Sequence, residues 1–371
     1  MAYVAVIYLH ADMGRITAIE VSSVIRDCIT RKAPFAFYRL PGKEQVCFIA
    51  GEAEAYNKVQ EQSGFVFHPF TEDNQNPALF IKAEHYSTLQ LDELLQASFS
   101  AAEVCRKDGN DTQVGEGEYC EQVQKAVDTI KQGTLQKVIL SRVQRAGMNK
   151  PLVKLFATLC EKYPSAFVSL LIIPGKVVWV TATPELLVSA ENGNIETVSL
   201  AGTKAAKSSG AWGDKEKEEQ QMVTAYVSDI LKQHCTDIVT DGPHDLVAGN
   251  VMHLQTKFTA KIKGDVWKLV NDLHPTPAVC GLPKDKALNF IKDTEHHNRR
   301  YYAGFSGPCN VDGKTNLYVN LRCAEIMQDH ANLYIGGGIT ADSVPELEWK
   351  ETVMKAGTLL PVFETEKEKI V

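Results

Sequence analysis

The chain has 371 residues, 44% hydrophobic and 23% charged, which is typical of a globular protein with one large domain or two smaller ones. Its formal net charge of −7 argues against a nucleic-acid-binding surface, which would need a basic patch. No apolar run is long enough to span a membrane, so we expect no membrane partner.

The cysteines and the N-terminus bear on the cellular compartment. Nine cysteines occur without a CxxC pair, which indicates reduced, mostly buried thiols rather than disulfides or a zinc site. Residues 1–12 lack a basic segment and a signal-type cleavage site. We therefore expect a mature cytoplasmic protein, and we take it to be a monomer or weak dimer.

Residues 1–110 carry few chemical signals, and we interpret them as an N-terminal scaffold within the same fold. Helical spacing over residues 89–105 predicts one helix there, and the polar, glycine-rich segment 106–117 predicts a boundary or loop. The apolar runs that predict strands are residues 4–9, 35–40, 46–50 and 65–70.

Two ionisable residues in the middle of the chain could serve as an acid–base pair. Lys137 begins an apolar strand, where desolvation would favour the neutral amine and allow it to act as a base; a structural lysine is the alternative. Glu185 lies between apolar segments, where burial should raise the pKa of its carboxyl and suit it to donate a proton. The neighbouring predicted elements are a helix over 152–163 and strands over 137–142, 166–173, 177–183 and 199–204, the last closed by a turn at Gly202.

Two predicted helices each carry a Glu-x-x-Glu pair beside an apolar stripe. The first helix holds Glu216 and Glu219, and the second holds Glu348 and Glu351. Carboxylates beside a buried stripe are costly unless they are paired or bind a metal. Four oxygen ligands without Cys or His suit a hard cation such as Mg²⁺, whereas a solvated charged face is the alternative for either helix alone.

The sequence before the second acidic helix predicts a tight turn. An apolar run, residues 333–335, leads into three glycines, residues 336–338, and Ser343 and Glu346 then have capping-box spacing. The chain contains no Walker loop and no GxGxxG, so these glycines are not a nucleotide fingerprint. Their N–H groups could still hold a carboxylate.

Arg322 interrupts a predicted apolar strand over residues 319–326. An inward arginine needs a partner, and either a substrate carboxylate or an internal acid would serve. The segment 273–283 contains three prolines and predicts a stiff loop, either a structural corner or one wall of a site. Many strands without regular βαβ repeats predict an α+β fold.

Taken together, these segments resemble the chorismate-utilising enzyme family over residues 115–366. The matching motifs include Lys137-Val-Ile-Leu-Ser-Arg, Thr183-Pro-Glu-Leu-Leu, Leu200-Ala-Gly-Thr, Leu273-His-Pro-Thr-Pro-Ala-Val, Gly336-Gly-Gly-Ile and Glu348-Trp-Lys-Glu-Thr-Val-Met-Lys. The resemblance implies one large α+β domain with a β-sandwich core flanked by helices. It also implies a catalytic region over residues 115–366 and chorismate as the small-molecule substrate.

The resemblance further implies roles for individual positions. Glu219 and Glu351 would be the Mg²⁺ ligands, supported by Glu216 and Glu348. The expected substrate contacts are Leu200, Ala201, Gly202, Thr203, His274, Ala278, Tyr302, Leu321, Arg322, Gly336, Gly337, Gly338 and Lys355. The catalytic residues would be Lys137 as the base for water and Glu185 as the acid.

Lys137 separates branches of this family, because members that add ammonia usually have glutamine there. The resemblance therefore implies an isochorismate synthase, in which water attacks C2 and the C4 hydroxyl leaves. Ala278 favours stopping at isochorismate, whereas Tyr302 and Leu321 leave salicylate synthesis open as an alternative. A non-catalytic chorismate-binding protein would not need the acid–base pair. Both menaquinone and siderophore biosynthesis are compatible uses of the product. Gln220 departs from the histidine that the family often has.

Overall fold

The computed structural model describes residues 14–56, 59, 62–95, 97, 99–107, 113–148, 150–207, 210–249 and 251–363. The predicted strand over 4–9, residues 108–112 of the predicted loop and the end of the predicted catalytic region, 364–366, lie outside these residues. The helices are α1 (Ala18–Arg31), α2 (Leu91–Leu94), α3 (Ala101–Val104), α4 (Glu116–Lys131), α5 (Leu152–Lys162), α6 (Asp214–His234), α7 (Val266–Leu273), α8 (Lys284–Thr294) and α9 (Pro345–Phe363).

The strands form two large antiparallel sheets. They are β1 (Phe35–Arg39), β2 (Val46–Ala50), β3 (Ala53–Ala55), β4 (Gly64–His68), β5 (Leu79–Lys82), β6 (His85–Leu89), β7 (Lys137–Gly147), β8 (Phe167–Ile173), β9 (Val177–Thr183), β10 (Leu186–Glu191), β11 (Asn194–Ala205), β12 (Cys235–Ala248), β13 (Val251–Ile262), β14 (Gly281–Leu282), β15 (Phe305–Cys309), β16 (Lys314–Val319), β17 (Cys323–Ile326) and β18 (His330–Ile339). The first sheet has the order β14-β7-β18-β17-β9-β8-β1-β2-β6, and the second β12-β13-β11-β10-β16-β15-β4-β5-β3.

Aromatic side chains join the two sheets into a sandwich. Phe167 of the first sheet stacks on Tyr318 of the second with ring centroids 4.3 Å apart, and Trp179 packs edge-on against Phe67. Buried rings of this size each contribute about 1.5–3 kcal/mol of hydrophobic stabilisation. Strands β8 and β9 are buried along their whole length because α5 and α9 help to cover the outer face of the first sheet. The predicted α+β sandwich flanked by helices is therefore confirmed.

The N-terminal strands extend both sheets of this sandwich. Strands β1, β2 and β6 lie at one end of the first sheet, and β3, β4 and β5 lie at one end of the second. The scaffold role of residues 1–110 stays a prediction. No helix in the described part of the chain is both long and apolar enough to cross a membrane.

The single helix predicted over residues 89–105 is wrong, because two separate capping boxes start two short helices. Glu93 bonds the backbone N–H of Gln90 at the start of α2. At the start of α3, Glu103 accepts hydrogen bonds from both the N–H and the hydroxyl of Ser100, at 2.6 and 2.7 Å. Each box satisfies free helix N–H groups locally, so the helical period is interrupted between them.

Arg322 lies at a corner rather than in the middle of a strand. Strand β16 of the second sheet ends at Val319, and β17 of the first sheet begins at Cys323. The intervening residues carry the chain between the sheets, and Arg322 has φ 49°, in the left-handed region. The apolar pattern resembled one strand because both sheets are buried at this crossing.

Two predicted glycine turns are also wrong. The three glycines 336–338 lie within β18, paired with residues 139–141 of β7. Strand β11 continues past Gly202 to Ala205, and Gly202, with φ 68°, lies at an irregularity in its pairing with β13. A left-handed residue of this kind is typical of a bulge in a continuing strand.

Candidate active site

A cavity opens where strands β7, β11 and β18 meet helices α6 and α9. Every predicted substrate contact except His274 lines it, together with Glu185, Glu219 and Glu351. These substrate contacts are Leu200, Ala201, Gly202, Thr203, Ala278, Tyr302, Leu321, Arg322, Gly336, Gly337, Gly338 and Lys355. The fold therefore gathers residues from six separate stretches of sequence into one place.

His274 lies apart from this cavity. Its Nε2 is 3.2 Å from the carbonyl oxygens of both Pro69 and Phe70, and its ring packs edge-on against His68 and Phe305. Burial lowers the pKa of His274 to about 3, so the ring is neutral and can donate one N–H to these carbonyls. These contacts give His274 a structural role, and its predicted contact with substrate stays a prediction.

Glu185 is buried in the turn between β9 and β10, and its side chain faces the cavity. Burial raises the pKa of its carboxyl to about 7, although the positive charges of Lys137 and Arg322 act in the opposite direction. A carboxyl with this pKa is partly protonated at neutral pH and can give up a proton there. The direction of the shift agrees with the expectation from sequence.

Lys137 has no exposed surface, and its Nζ lies 2.7 Å from Glu219 Oε1. Burial raises the pKa of the Glu219 carboxyl, but the charge of Lys137 outweighs it and leaves that pKa below its ordinary value. The burial was expected, whereas a carboxylate partner at this distance was not. An ammonium has no lone pair, so Lys137 can act as a base only in its neutral form, without the ion pair to Glu219.

Three of the four predicted metal ligands converge on the glycine strand. A Cβ built on Gly337 would lie 3.6 Å from Glu351 Oε1 and 3.8 Å from Glu348 Oε2, and one on Gly338 would lie 2.5 Å from Glu219 Oε1. A side chain at Gly338 would collide with the Glu219 carboxylate, whereas a Cβ at Gly337 would make only ordinary contacts, and neither glycine marks a turn of the chain. Local sequence contained no sign of this crowding.

The carboxylate oxygens are a donor set that suits Mg²⁺. Within the described residues, however, no three acidic, His or Cys side chains form a metal-holding group in their present positions. Lysines bond three of the glutamates: Lys137 with Glu219, Lys215 with Glu348, and Lys355 with Glu351, at 2.6–2.7 Å. The chemistry of the donors fits the cation, and these side chains would have to turn towards it.

Glu216 is placed differently from the other three glutamates. A Cβ on Gly213, the residue that precedes α6, would lie 2.6 Å from Glu216 Oε2, so the carboxylate turns back towards the start of its own helix. A carboxylate in this position is stabilised by the helix dipole. Glu216 does not line the cavity, and its supporting metal role stays a prediction.

Arg322 enters the cavity, and its hydrogen bonds in the described residues go to neutral acceptors. Its guanidinium donates to Ala248 O and Thr358 Oγ1 at 3.2 Å and to His253 Nε2 at 2.9 Å. Burial, with a smaller contribution from Arg322, lowers the pKa of His253 to about 3, so this ring is neutral. The positive charge of Arg322 therefore remains available to an anionic ligand.

His253 is a cavity residue that sequence reasoning missed. Its Nδ1 donates to Gly202 O at 2.8 Å, which leaves Nε2 as the acceptor for Arg322. His253 lies on β13, opposite β11, and it reaches Arg322 across 69 residues of sequence. Alternation along β13 indicates only that the side chain faces inwards.

Comparisons with known proteins show which family the chain resembles. A family model described as chorismate binding enzyme matches residues 55–364. The chain is 29% identical to isochorismate synthase EntC of Escherichia coli (strain K12) over 195 residues, 49% of this chain and 50% of that one. It is 27% identical to anthranilate synthase component 1 of Aquifex aeolicus over 272 residues, 68% of this chain and 54% of that one. The chain thus spans about half the length of these curated relatives.

A solved structure of MenF, the menaquinone-specific isochorismate synthase from Escherichia coli, has a similar fold. The TM-score is 0.74 at 21% sequence identity, with 89% of each chain covered. The two-sheet sandwich and its flanking helices are therefore a known architecture. The chain belongs to the family of chorismate binding enzymes.

Proposed function

We propose that the protein is an isochorismate synthase, which converts chorismate to isochorismate with Mg²⁺. The observation that carries the proposal is that a buried, readily protonated glutamate, Glu185, lines the cavity, while the buried Lys137 contacts the lining residue Glu219 at 2.7 Å. The similarity to relatives named isochorismate synthase supports the choice of reaction. Because the chain is also similar to an anthranilate synthase, overall similarity does not decide between water and ammonia as the nucleophile. Lysine at position 137 favours water.

The two residues divide the proton transfers of the reaction. Lys137, as the neutral amine, takes a proton from water as the water oxygen bonds to C2 of chorismate. Glu185 gives its proton to the C4 oxygen, so that the C4–O bond breaks and a second water leaves. The two ring double bonds change position as C2 gains a hydroxyl and C4 loses one, so the product is an isomer of the substrate. The cycle closes when a proton returns from Lys137 to Glu185, and the reaction is reversible.

The remaining cavity residues would orient the substrate. Arg322 and Lys355 offer positive charge for its carboxylates, and the small residues Ala201 and Gly202 leave room for a ring. Fixed charges of this kind reduce the reorganisation needed in the transition state. Glu219, Glu351 and Glu348 would hold Mg²⁺, which would offset their charge and bind a substrate carboxylate.

The product formed from chorismate tests the proposal directly. We expect purified protein with Mg²⁺ to give an equilibrium mixture of chorismate and isochorismate, resolved by chromatography, with little pyruvate. The same mixture should form from isochorismate. Stoichiometric pyruvate and salicylate at neutral pH would assign the protein to salicylate synthesis instead. Binding of chorismate without turnover would leave a non-catalytic binding protein.

A further inference from the structure

Four buried polar side chains lie directly behind the cavity, and we call them the rear cluster: Ser141, Glu295, His297 and Arg299. Glu295 Oε1 accepts hydrogen bonds from the N–H and hydroxyl of Ser141, at 2.6 and 3.0 Å. Arg299 donates from Nε and Nη2 to the two carboxylate oxygens of Glu295, at 2.8 and 2.6 Å. His297 Nε2 lies 3.0 Å from the Ser141 hydroxyl.

A serine, a histidine and a carboxylate close together could suggest a nucleophilic triad. The Ser141 hydroxyl, however, points at Glu295 and has no exposed surface, and Ser141 does not line the cavity. No substrate carbonyl could reach it. The rear cluster therefore acts on the protein itself rather than on a ligand.

Arg299 connects the rear cluster to three walls of the cavity. Its Nη1 donates to Val279 O at 2.8 Å, and its Nη2 donates to Ile139 O at 2.7 Å. Its guanidinium also lies 5.8 Å from the centre of the Tyr302 ring. Ile139, Val279 and Tyr302 all line the cavity, although they belong to three distant segments of the chain.

The ion pair between Glu295 and Arg299 is expensive to bury. Burial raises the pKa of the Glu295 carboxyl, but Arg299 outweighs this effect and holds the pKa below its ordinary value, so both residues are charged. Apolar residues at such positions often give equal or greater stability. What apolar residues cannot do is hold two backbone carbonyls at fixed hydrogen-bond distances.

We propose that Glu295 and Arg299 are positioning residues that fix the Ala278–Val279 wall relative to strand β7. Glu295 orients the guanidinium, and the guanidinium holds the carbonyls of Val279 and Ile139 together. The wall would then keep the substrate in the geometry for isomerisation and limit pyruvate elimination. This reaction role rests on the proposed function. The backbone tether, by which we mean the hydrogen bonds from Arg299 to the carbonyls of Val279 and Ile139, does not.

Arg299→Lys tests the proposal, because lysine keeps the charge but cannot make the same paired contacts with Glu295 and both carbonyls. The adjacent Arg300→Lys is the matched control, since Arg300 pairs with the buried Glu325 and does not line the cavity. Both variants are compared with wild type for thermal unfolding and for steady-state kinetics with chorismate and Mg²⁺. Arg299→Lys should lower kcat/KM about tenfold or more and raise the share of pyruvate, with Arg300→Lys within about twofold of wild type.

Amide hydrogen exchange tests, without any substrate, whether the tether holds the two segments together. The N–H of Ile139 bonds Cys280 O at 2.8 Å, so loosening the wall should speed exchange in peptides covering 137–141 and 276–282. Arg299→Lys should show this change and Arg300→Lys should not. Unchanged exchange in Arg299→Lys would overturn the tether whatever reaction the protein catalyses. Faster exchange with wild-type kinetics and product ratio would overturn its role in the reaction.

A second variant covers the case in which Arg299→Lys does not fold. Glu295→Gln combined with Arg299→Met keeps an acceptor for Ser141 and leaves no unpaired buried charge. This double variant should fold, show the same faster exchange and lose kcat/KM to a similar extent. Wild-type exchange and wild-type kinetics in the folded double variant would refute the proposal. If wild-type protein did not convert chorismate, the proposed function would fail, and exchange would still decide the tether.

Discussion

Arg322 donates a hydrogen bond to His253 at 2.9 Å, and the neutral ring orients the guanidinium without cancelling its charge. A carboxylate in place of this ring would form an internal salt bridge and weaken the attraction for a substrate carboxylate. The ring is fixed in turn by Gly202, a cavity residue on the neighbouring strand β11. The pair therefore links the charge that would bind substrate to the strand that shapes the pocket.

Replacing His253 should weaken substrate use without changing the charge of the site. We expect His253→Leu to lower kcat/KM about 10–100-fold, since a hydrogen bond to a charged group contributes about 1.5–3 kcal/mol. The exposed His244, which pairs with Asp241, gives the control variant His244→Leu. A His253→Leu enzyme with wild-type kcat/KM would show that Arg322 needs no such support.

Lys137 should be indispensable as the base that activates water. Lys137→Gln keeps most of the length and polarity but cannot take up the proton, so it should abolish turnover while chorismate still binds with Mg²⁺. Steady-state rates and equilibrium binding measure the two effects separately, and the exposed Lys176→Gln serves as control. Turnover above about a tenth of wild type would limit the contribution to roughly 1.4 kcal/mol, too little for an obligatory base.

The residues that were predictable from sequence are those whose role shows in their own neighbourhood. Lys137 and Glu185 lie in apolar segments, and burial of both follows from that context. Glu348 and Glu351 are on one helix, so their spacing alone brings them near each other. These features need no knowledge of which strands pair.

The contacts that sequence reasoning missed depend on long-range pairing. His253 becomes a partner of Arg322 only through the pairing of β13 and β11 and the crossing between sheets. Gly338 lies close to Glu219, which is far away in sequence, so local sequence does not show this contact. His274 falls in a family motif, yet its ring is drawn to two carbonyls of the segment after β4.

Removal of divalent cations should abolish activity if the glutamates hold Mg²⁺. EDTA should stop turnover and added Mg²⁺ should restore it. Glu351→Gln should lose metal-dependent turnover and remain folded by circular dichroism, because it removes one ligand charge without changing the shape of the side chain. The exposed Glu218→Gln on α6 changes net charge equally and should keep wild-type activity. Full activity in a chelated sample would refute the metal assignment.

Titration of Glu185 should change both the reaction rate and the free energy of unfolding as the pH passes through about 7. As the general acid it must be protonated, and with a pKa of about 7 the rate should fall as pH rises above neutrality. Its folded-state pKa is above the ordinary 4.5, so protonated Glu185 stabilises the fold fully below about pH 4.5, and this contribution is lost as pH rises through about 7. The shift corresponds to about 3 kcal/mol.

Urea denaturation at pH 5 and pH 8 measures this contribution. Wild-type protein should lose stability between the two values, and Glu185→Gln, which is neutral at both, should lose about 2.5 kcal/mol less than wild type, because part of the contribution is already lost at pH 5. The control is Glu191→Gln at the far end of strand β10, which follows Glu185; its carboxylate is exposed and pairs with Lys314. It should follow the wild-type curve. If Glu185→Gln and wild type lost the same stability, Glu185 would already be ionised at pH 5 and could not serve as the acid at neutral pH.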